Sequence, residues 1–264
     1  MAVFTIKVVD GLGNIKVQDS AEEFASLVYK GVYEPGDYIQ VETSEKNIHV
    51  WLQLDDVLGR ELVYLTDSIS YRVPFEEKKT NINPKAFTDK LHYLYVRQAM
   101  PEEVYAYRNL CRNVCDQHDI KNLYPHASAN VETRGEAKFF ACNAIDGMCE
   151  NRSHGIWPYQ SWGINRQDDA AITVDFGRMI ETDKVVIFTR ADFPHDNWWT
   201  QVTVSFSDGT SIDWQLEDKF RFAQTLQFEK KRISWIKLSN LIKADDPSPF
   251  PALSQLEVYG TVVR

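Results

Sequence analysis

Short runs of alternating apolar and polar residues, separated by turn residues, fill most of the first hundred positions. The run at 3–9 is followed by Gly11-Leu-Gly-Asn14 and a second run at 15–17, which together predict a β-hairpin. Further strand-like runs lie at 38–43, 48–54, 61–65, 70–74 and 91–96. Strands of this length and spacing are typical of a sandwich or jelly roll. We therefore expect residues 1–100 to form a mostly β domain.

In two segments the alternation of apolar and polar residues gives way to helical spacing, which predicts helices. In the first, Asp19 and Ser20 offer a capping side chain before residues 21–29, where apolar residues recur at helical spacing. The second begins with Pro101 and two glutamates, which favour a helix start. Its apolar residues at helical spacing are Val104, Tyr107, Leu110, Cys111 and Val114. We expect this second helix to join two domains, in a linker spanning 101–121.

Beyond residue 122 the strand pattern returns. Strand-like runs lie at 171–176, 184–189, 201–206, 211–215, 224–228, 233–238 and 255–259. Strands and helices do not alternate here, which argues against a parallel α/β fold. Residues 122–264 therefore predict a second β-sandwich. The predicted fold is all-β, with two jelly-roll-like β-sandwich domains joined by a helix.

The net charge and the hydropathy of the chain exclude two classes of partner. The chain has 264 residues and a formal net charge of −9, whereas a protein that binds nucleic acid needs a clustered basic surface. The dense basic run at 230–232 predicts a solvated turn. A membrane-spanning helix takes about 18 apolar residues or more, and no stretch approaches that length. We expect neither a nucleic acid partner nor a membrane segment.

The N-terminus lacks the basic start, apolar core and cleavage site of a signal peptide, which predicts a cytoplasmic protein. A secreted chain whose leader has been removed would begin the same way, so secretion stays open. The four cysteines are Cys111, Cys115, Cys142 and Cys149. Their spacings fit poorly to a zinc site, so reduced thiols are favoured over zinc or a disulfide.

An ordered set of short motifs runs through the C-terminal half. The set is Ala-Ser at 127–128, Asn-Ala-Ile-Asp-Gly at 143–147, Trp162, Val-Asp-Phe-Gly at 174–177, Ser-Asp-Gly at 207–209 and Glu-Val-Tyr-Gly at 257–260. This order resembles the discoidin, or F5/8 type C, family of galactose-binding-like carbohydrate-binding modules, over about 140 residues. The resemblance implies a galactose-binding-like C-terminal sandwich with ligand-binding loops at one end. Fold alone does not fix the ligand, because such folds bind sugars, lipids or proteins.

The first candidate loop follows the strand at 184–189. A sugar site needs an aromatic platform surrounded by planar polar side chains, and residues 190–199 hold both. The predicted ligand-binding residues are Arg190, Asp192, His195, Trp198 and Trp199. The alternative is structural: Phe193 and one tryptophan would plug the sandwich end, while Asp196 and Asn197 make the turn.

The second candidate segment is 157–169. Trp157 and Tyr159 are predicted to be exposed platforms, and Arg166, Gln167 and Asp168 are predicted to bind hydroxyl groups. Trp162 is expected to be the buried tryptophan of the resembled family. If the fold holds, the two candidate loops converge.

Calcium enters only through the resemblance, since many modules of that family hold a structural calcium beside the Asn-Ala-x-Asp-Gly turn. Asp146 matches the side-chain ligand, with Asn143 and Met148 offering carbonyl groups. Gln255 stands where the family has a glutamate, and Glu150 or Glu257 are the candidate replacements. We therefore expect no required cofactor and treat calcium at Asp146 as a possible structural ion.

Non-catalytic carbohydrate binding is the function these features favour. The alternative is a protein–protein adaptor or assembly subunit using the same aromatic loops, and a homo-oligomer is compatible with either. A hydrolase with a site in the cleft between the domains is a third possibility. Asp192 with Asp196 is the best carboxylate pair for a glycosidase, although a structural turn explains them more simply. His118 and His126 flank the linker with Asp116 and Asp119, which hints weakly at a metal.

Overall fold

The computed structural model describes residues 1–149, 155, 157–190, 196–217 and 222–264. Within these ranges the chain is predominantly β, as the sequence predicts, and its strands form sandwich sheets. None of the helices in the described ranges has the length and apolar character needed to cross a bilayer.

Two sheets form the N-terminal sandwich. The four-stranded sheet has the order β2-β1-β4-β7. Its strands are β1 (Val3–Val9), β2 (Ile15–Glu22), β4 (Tyr38–Thr43) and β7 (Ile69–Arg72). The five-stranded sheet has the order β10-β6-β5-β8-β3. Its strands are β3 (Phe24–Tyr29), β5 (Ile48–Gln53), β6 (Glu61–Leu65), β8 (His92–Gln98) and β10 (Leu123–Tyr124).

The C-terminal strands form one eight-stranded assembly in which two long strands run through both layers. Its strands are β9 (Arg108–Asn109), β11 (His126–Ala129), β12 (Trp162–Gly163), β13 (Ile172–Arg190), β14 (Trp199–Phe206), β15 (Ser211–Gln215), β16 (Gln224–Lys243) and β17 (Ala252–Val262). The first part of β13 pairs with β11 and the last part with β17, while β16 runs beside both parts.

The helical content consists of short turns. The α-helix α1 spans Pro101–Val104, and 3₁₀ turns lie at Glu76–Lys79, Thr133–Gly135, Ala137–Phe139 and Ala141–Ile145. The last three turns join β11 to the 157–163 region and form one wall of the candidate site described below.

Both predicted helices are wrong. Residues 24–29 form strand β3, in which Ala25, Leu27 and Tyr29 are buried with a period of two. The predicted linker helix stops at Val104, and β9 then pairs with β17. The apolar residues of the predicted helix pack on two different cores: Leu110 and Cys111 join the C-terminal core, whereas Val114 packs against the N-terminal one. The helical spacing therefore reflects two cores, not one helix face.

Two turns predicted inside the C-terminal half are also wrong. Residues 177–183 lie within β13 and residues 230–232 within β16, so each strand joins two predicted runs. Arg232 pairs with Glu181 across the sheet, and Lys231 lies 3.5 Å from Asp208. The basic run thus lies inside a paired strand, with an acidic side chain beside Lys231 and another beside Arg232. The galactose-binding-like topology of this sandwich stays a prediction.

Each half has its own cluster of buried apolar side chains. Phe4, Ile39 and Leu94 are among the largest in the N-terminal core, and Trp162, Phe176 and Trp199 among those in the C-terminal core. Strand β10 extends the N-terminal sheet through β6, although residues 123–124 fall in the predicted C-terminal domain. The chain between the halves therefore packs on both.

Candidate functional site

A cavity of about 1060 Å³ opens between the two halves. From the N-terminal half it is lined by residues 35–38, 57–58, 70–78 and 81–83. The linker contributes residues 112–114 and 116–119, and the C-terminal half contributes Phe140, residues 142–143 and 146–148, Trp157 and Gln160, among others. A cavity of this size between packed units is the usual place for a small-molecule site.

The lining combines aromatic rings with amide side chains. Phe75, Phe140 and Trp157 are all half-buried there. The Asn81 side chain donates from Nδ2 to Asn143 Oδ1 at 2.9 Å, which joins the two halves across the cavity. Gln117 binds the backbone of Arg72 through both its Nε2 and its Oε1. The wall therefore presents flat apolar surfaces beside hydrogen-bonding groups with fixed orientations.

Asp146 lies in this wall, at the turn that ends the last 3₁₀ segment. Its Oδ1 accepts from the Met148 backbone N–H at 2.7 Å, and its Oδ2 accepts from Gln160 Nε2 at 2.8 Å. Burial raises the pKa of Asp146 to about 7, against the lowering effect of these hydrogen bonds and of nearby Arg112.

Arg112 and Glu61 form the second polar feature of this region. Arg112 Nε lies 2.8 Å from Glu61 Oε1, and the glutamate side chain is only 6% exposed. Burial raises the pKa of Glu61 to about 7 although Arg112 lowers it. Glu61 belongs to β6 and Arg112 to the linker that lines the cavity, so the pair ties the N-terminal sheet to the cavity wall.

The residues around Asp146 do not fit the calcium ion that the resemblance implies. Calcium takes six to eight oxygen ligands, mostly carboxylates and carbonyls. Both Asp146 oxygens instead accept from N–H donors, and Gln255 Oε1 accepts from the Gly147 N–H at 3.0 Å. Glu257 accepts from the Tyr259 hydroxyl, and Glu150 lies outside the described residues. Across the described ranges, no group of three or more His, Cys, Asp or Glu side chains could hold a metal.

Asp116 and His126, the weak metal hint of the sequence, form a pair with each other. His126 Nδ1 lies 2.7 Å from Asp116 Oδ1, and Asp116 Oδ2 accepts from the Ala127 N–H at 2.9 Å. The hydrogen bond to Asp116 raises the pKa of His126. Both oxygens of this fully buried carboxylate are occupied, which explains the aspartate structurally.

The described residues of the first candidate loop are built into the sandwich. Arg190 is the last residue of β13, and its Nη2 donates to Asp196 Oδ1 at 2.9 Å, with both side chains buried. Trp199 is 1% exposed and packs 6.4 Å from Trp162 between ring centroids. The structural alternative thus holds for Trp199, which fills the core, while the buried Arg190 and Asp196 side chains bind each other. Asp192 and His195 lie outside the described residues.

In the second candidate segment, the expectation that Tyr159 is exposed is wrong, because the residue is 7% exposed. Trp157 is half-buried and lines the cavity, while Trp162 is fully buried, as the sequence predicts. Trp157 of the predicted sugar-binding residues therefore lines the cavity, as do Asp146, Asn143 and Met148 of the predicted calcium site.

The remaining predicted residues lie at another end of the C-terminal sandwich. The Arg166 guanidinium stacks 4.6 Å from the Phe250 ring, and Asn197, beside half-buried Trp198, donates to the Phe250 carbonyl. Gln167 is half-buried and Asp168 is exposed. Residues of both candidate segments, Arg166 and Asn197, thus contact Phe250 at this end.

Sequence reasoning missed most of the cavity. Asn81, Arg112 and Gln117 come from turns and linker residues that no single motif connects, and the cavity exists only once the halves pack. The Asn-Ala-Ile-Asp-Gly motif at 143–147 was the available signal, since Asn143 and Asp146 both line the cavity.

Comparison with known proteins gives structural likeness only. No family model matches the chain, and no curated protein matches it. Chitosan-binding module 1 from a chitosanase/glucanase of Paenibacillus sp. IK-5 is 18% identical, with a TM-score of 0.42 over 58% of this chain and 99% of the module. A fucose-binding module of Streptococcus pneumoniae is 15% identical, with a TM-score of 0.40 over 61% and 99%.

A family 32 carbohydrate-binding module from C. perfringens NanJ, solved with galactose, is 20% identical, with a TM-score of 0.39 over 50% of this chain and 91% of the module. At these identities and TM-scores, the likeness carries no conclusion about the ligand of this chain.

Proposed function

We propose that this chain binds carbohydrate without catalysis, in the cavity between its two halves. The observation that carries the proposal is the half-buried Trp157 indole, which lines a cavity of about 1060 Å³ together with amide side chains. Sugars present apolar C–H faces that stack on aromatic rings and hydroxyl groups that pair with planar polar side chains. The ordered motifs of the C-terminal half, which resemble carbohydrate-binding modules, support the same function.

The state of the buried carboxylates favours binding over hydrolysis. A glycosidase needs two carboxyl groups free to act on either side of the scissile bond. Asp37, Asp116 and Asp146 line the cavity, and each is engaged by other protein groups. Three further lining carboxylates, Glu76, Glu77 and Asp119, are exposed to solvent rather than held in a closed cleft. The pKa of the Cys142 thiol is raised well above its ordinary value by burial, which keeps it from acting as a thiolate nucleophile.

A glycan-array screen of the purified protein, with and without added calcium, tests the function. We expect binding to one class of sugar, unchanged by calcium or by a chelator. If folded protein bound no sugar on the array, the result would contradict carbohydrate binding and favour the alternative function, a protein–protein adaptor or assembly subunit.

That alternative, a protein–protein adaptor or assembly subunit, has one surface observation in its favour. Phe24 and Val28, on edge strand β3, are 42% and 48% exposed. The Phe24 ring lies 5.0 Å from the Tyr95 ring, and the Arg60 guanidinium lies 4.2 Å from the centroid of the Tyr95 ring. Aromatic residues and arginine are enriched at protein interfaces. Sedimentation velocity of the wild type and of Phe24→Asp would show whether this surface associates.

A further inference from the structure

The turn at 146–148 is held by nitrogen donors at the Asp146 carboxyl group and by an amide oxygen at the Gly147 N–H. The Met148 N–H donates to Asp146 Oδ1 at 2.7 Å, and Gln160 Nε2 donates to Asp146 Oδ2 at 2.8 Å. The Gln255 side chain, which is fully buried, takes the Gly147 N–H through its Oε1 at 3.0 Å. Two glutamine amides thus hold a carboxyl group and a backbone amide in fixed positions inside the C-terminal half.

Arg112 covers the same turn from the cavity side. Gly147 has a φ of +92°, and a Cβ added to it would lie 3.1 Å from Arg112 Nε. The guanidinium therefore packs directly on the glycine, close enough to Asp146 to favour its ionised form. Its partner, Glu61 of β6, comes from the N-terminal sandwich. A positive group at this position favours the ionised form of Asp146, as a bound cation would.

We infer that the 146–148 turn is a cation-free clamp, in which Gln160, Gln255 and the Glu61-bound Arg112 replace a metal ion. The clamp ties the C-terminal turn to the N-terminal sheet and shapes the cavity wall, because Arg112, Asp146 and Gln160 all line the cavity. It stands independently of which ligand the cavity binds.

The amides are the reason that the turn needs no calcium. A glutamate at position 160 would direct a second carboxylate at Asp146, and a glutamate at 255 would add a third beside Gly147. Three carboxylates in one buried place repel one another unless a cation neutralises them, and calcium favours such oxygen sets. Gln160→Glu combined with Gln255→Glu therefore converts the clamp into a calcium site.

Thermal unfolding of the full chain with calcium chloride or with a chelator tests whether the wild-type turn needs calcium and whether the double variant binds it. We expect the wild-type Tm to be unchanged by either addition. The Gln160→Glu/Gln255→Glu variant is expected to melt lower with chelator and to regain about 5 °C or more with calcium in excess of its Kd. Gln18→Glu/Gln227→Glu adds the same two charges at exposed sites and should show no calcium response.

Calcium titration calorimetry of the wild type keeps the clamp falsifiable if the double variant fails to fold. Saturable calcium binding to the wild type, or a Tm that falls with chelator, would overturn the inference. A folded double variant with no calcium response would also overturn it, because the carboxylates would then not converge. Binding of sugar is not part of the readout, so failure of the carbohydrate proposal leaves this result intact.

Discussion

The Arg190 guanidinium and the Asp196 carboxylate form a two-point ion pair, with Nη2–Oδ1 at 2.9 Å and Nε–Oδ2 at 3.3 Å. The arginine side chain is 6% exposed and the aspartate side chain is fully buried. The pair joins the end of β13 to the residues before β14, so the most polar part of the predicted loop holds the sandwich together.

Removing one partner of this pair should destabilise the protein strongly. We expect Asp196→Ala to lower the free energy of unfolding by about 3–5 kcal/mol, because Arg190 keeps a buried charge without its partner. Urea unfolding measures the loss. Asp168→Ala, at an exposed position, should change it by about 0.5 kcal/mol or less. Equal effects of the two substitutions would mean that the pair contributes nothing.

Replacing the adjacent residues Trp198 and Trp199 should have different effects on stability, because only Trp199 lies in the core. Trp199 is 1% exposed, whereas Trp198 is only half-buried. We expect Trp199→Ala to cost about 3–5 kcal/mol of stability and Trp198→Ala clearly less. Thermal and chemical unfolding of the two variants give the comparison. A Trp198→Ala loss as large as that of Trp199→Ala would place Trp198 in the core as well.

Asp146 should make stability depend on pH. Its pKa is raised to about 7 in the folded chain from an ordinary value near 3.8, so the folded state binds more protons between these values. Stability therefore falls as pH rises from about 4 through 7 and levels off above. Burial raises the pKa of Glu61 in the same direction.

Asp146→Asn removes this titration while keeping an oxygen for the Met148 N–H, and Gln160 can rotate to accept from the new amide. We expect a flatter dependence of the unfolding free energy on pH between 4 and 7 in the variant. Parallel pH profiles for the wild type and the variant would show that Asp146 does not titrate differently in the folded chain.

The glycine that ends the Glu-Val-Tyr-Gly motif should be irreplaceable for steric reasons. A Cβ on Gly260 would lie 1.9 Å from the Glu181 carbonyl oxygen in the neighbouring strand β13. Gly260→Ala should therefore separate β13 from β17 and reduce the yield of folded protein or lower Tm by about 10 °C. Gly11→Ala meets its nearest atom at 3.5 Å and serves as the tolerated control.

Local patterning predicted several strands together with their bounds. The runs at 38–43, 61–65 and 211–215 match β4, β6 and β15 residue for residue. It failed where residues serve two partners or where a bent strand continues through a polar stretch, as at 101–117 and 177–183. In those places the period of apolar residues records tertiary packing rather than local structure.

The candidate site was predicted only in part, for a related reason. The density of polar and aromatic residues at 190–199 suggested a ligand loop, but Arg190 and Asp196 satisfy each other and Trp199 fills the core. Composition alone does not reveal whether such groups face a ligand or one another. The cavity depends on residues far apart in the chain, and Trp157 was its one predicted aromatic residue.

The most direct test of carbohydrate binding in the cavity is a calorimetric titration of the best array sugar into Trp157→Ala and Trp198→Ala, each confirmed to be folded. We expect Trp157→Ala to bind the sugar at least about tenfold more weakly, equivalent to about 1.4 kcal/mol, because it lacks the stacking ring. The affinity of Trp198→Ala should be that of the wild type. Unchanged binding by Trp157→Ala with loss in Trp198→Ala would contradict the cavity and return the site to the far end of the sandwich.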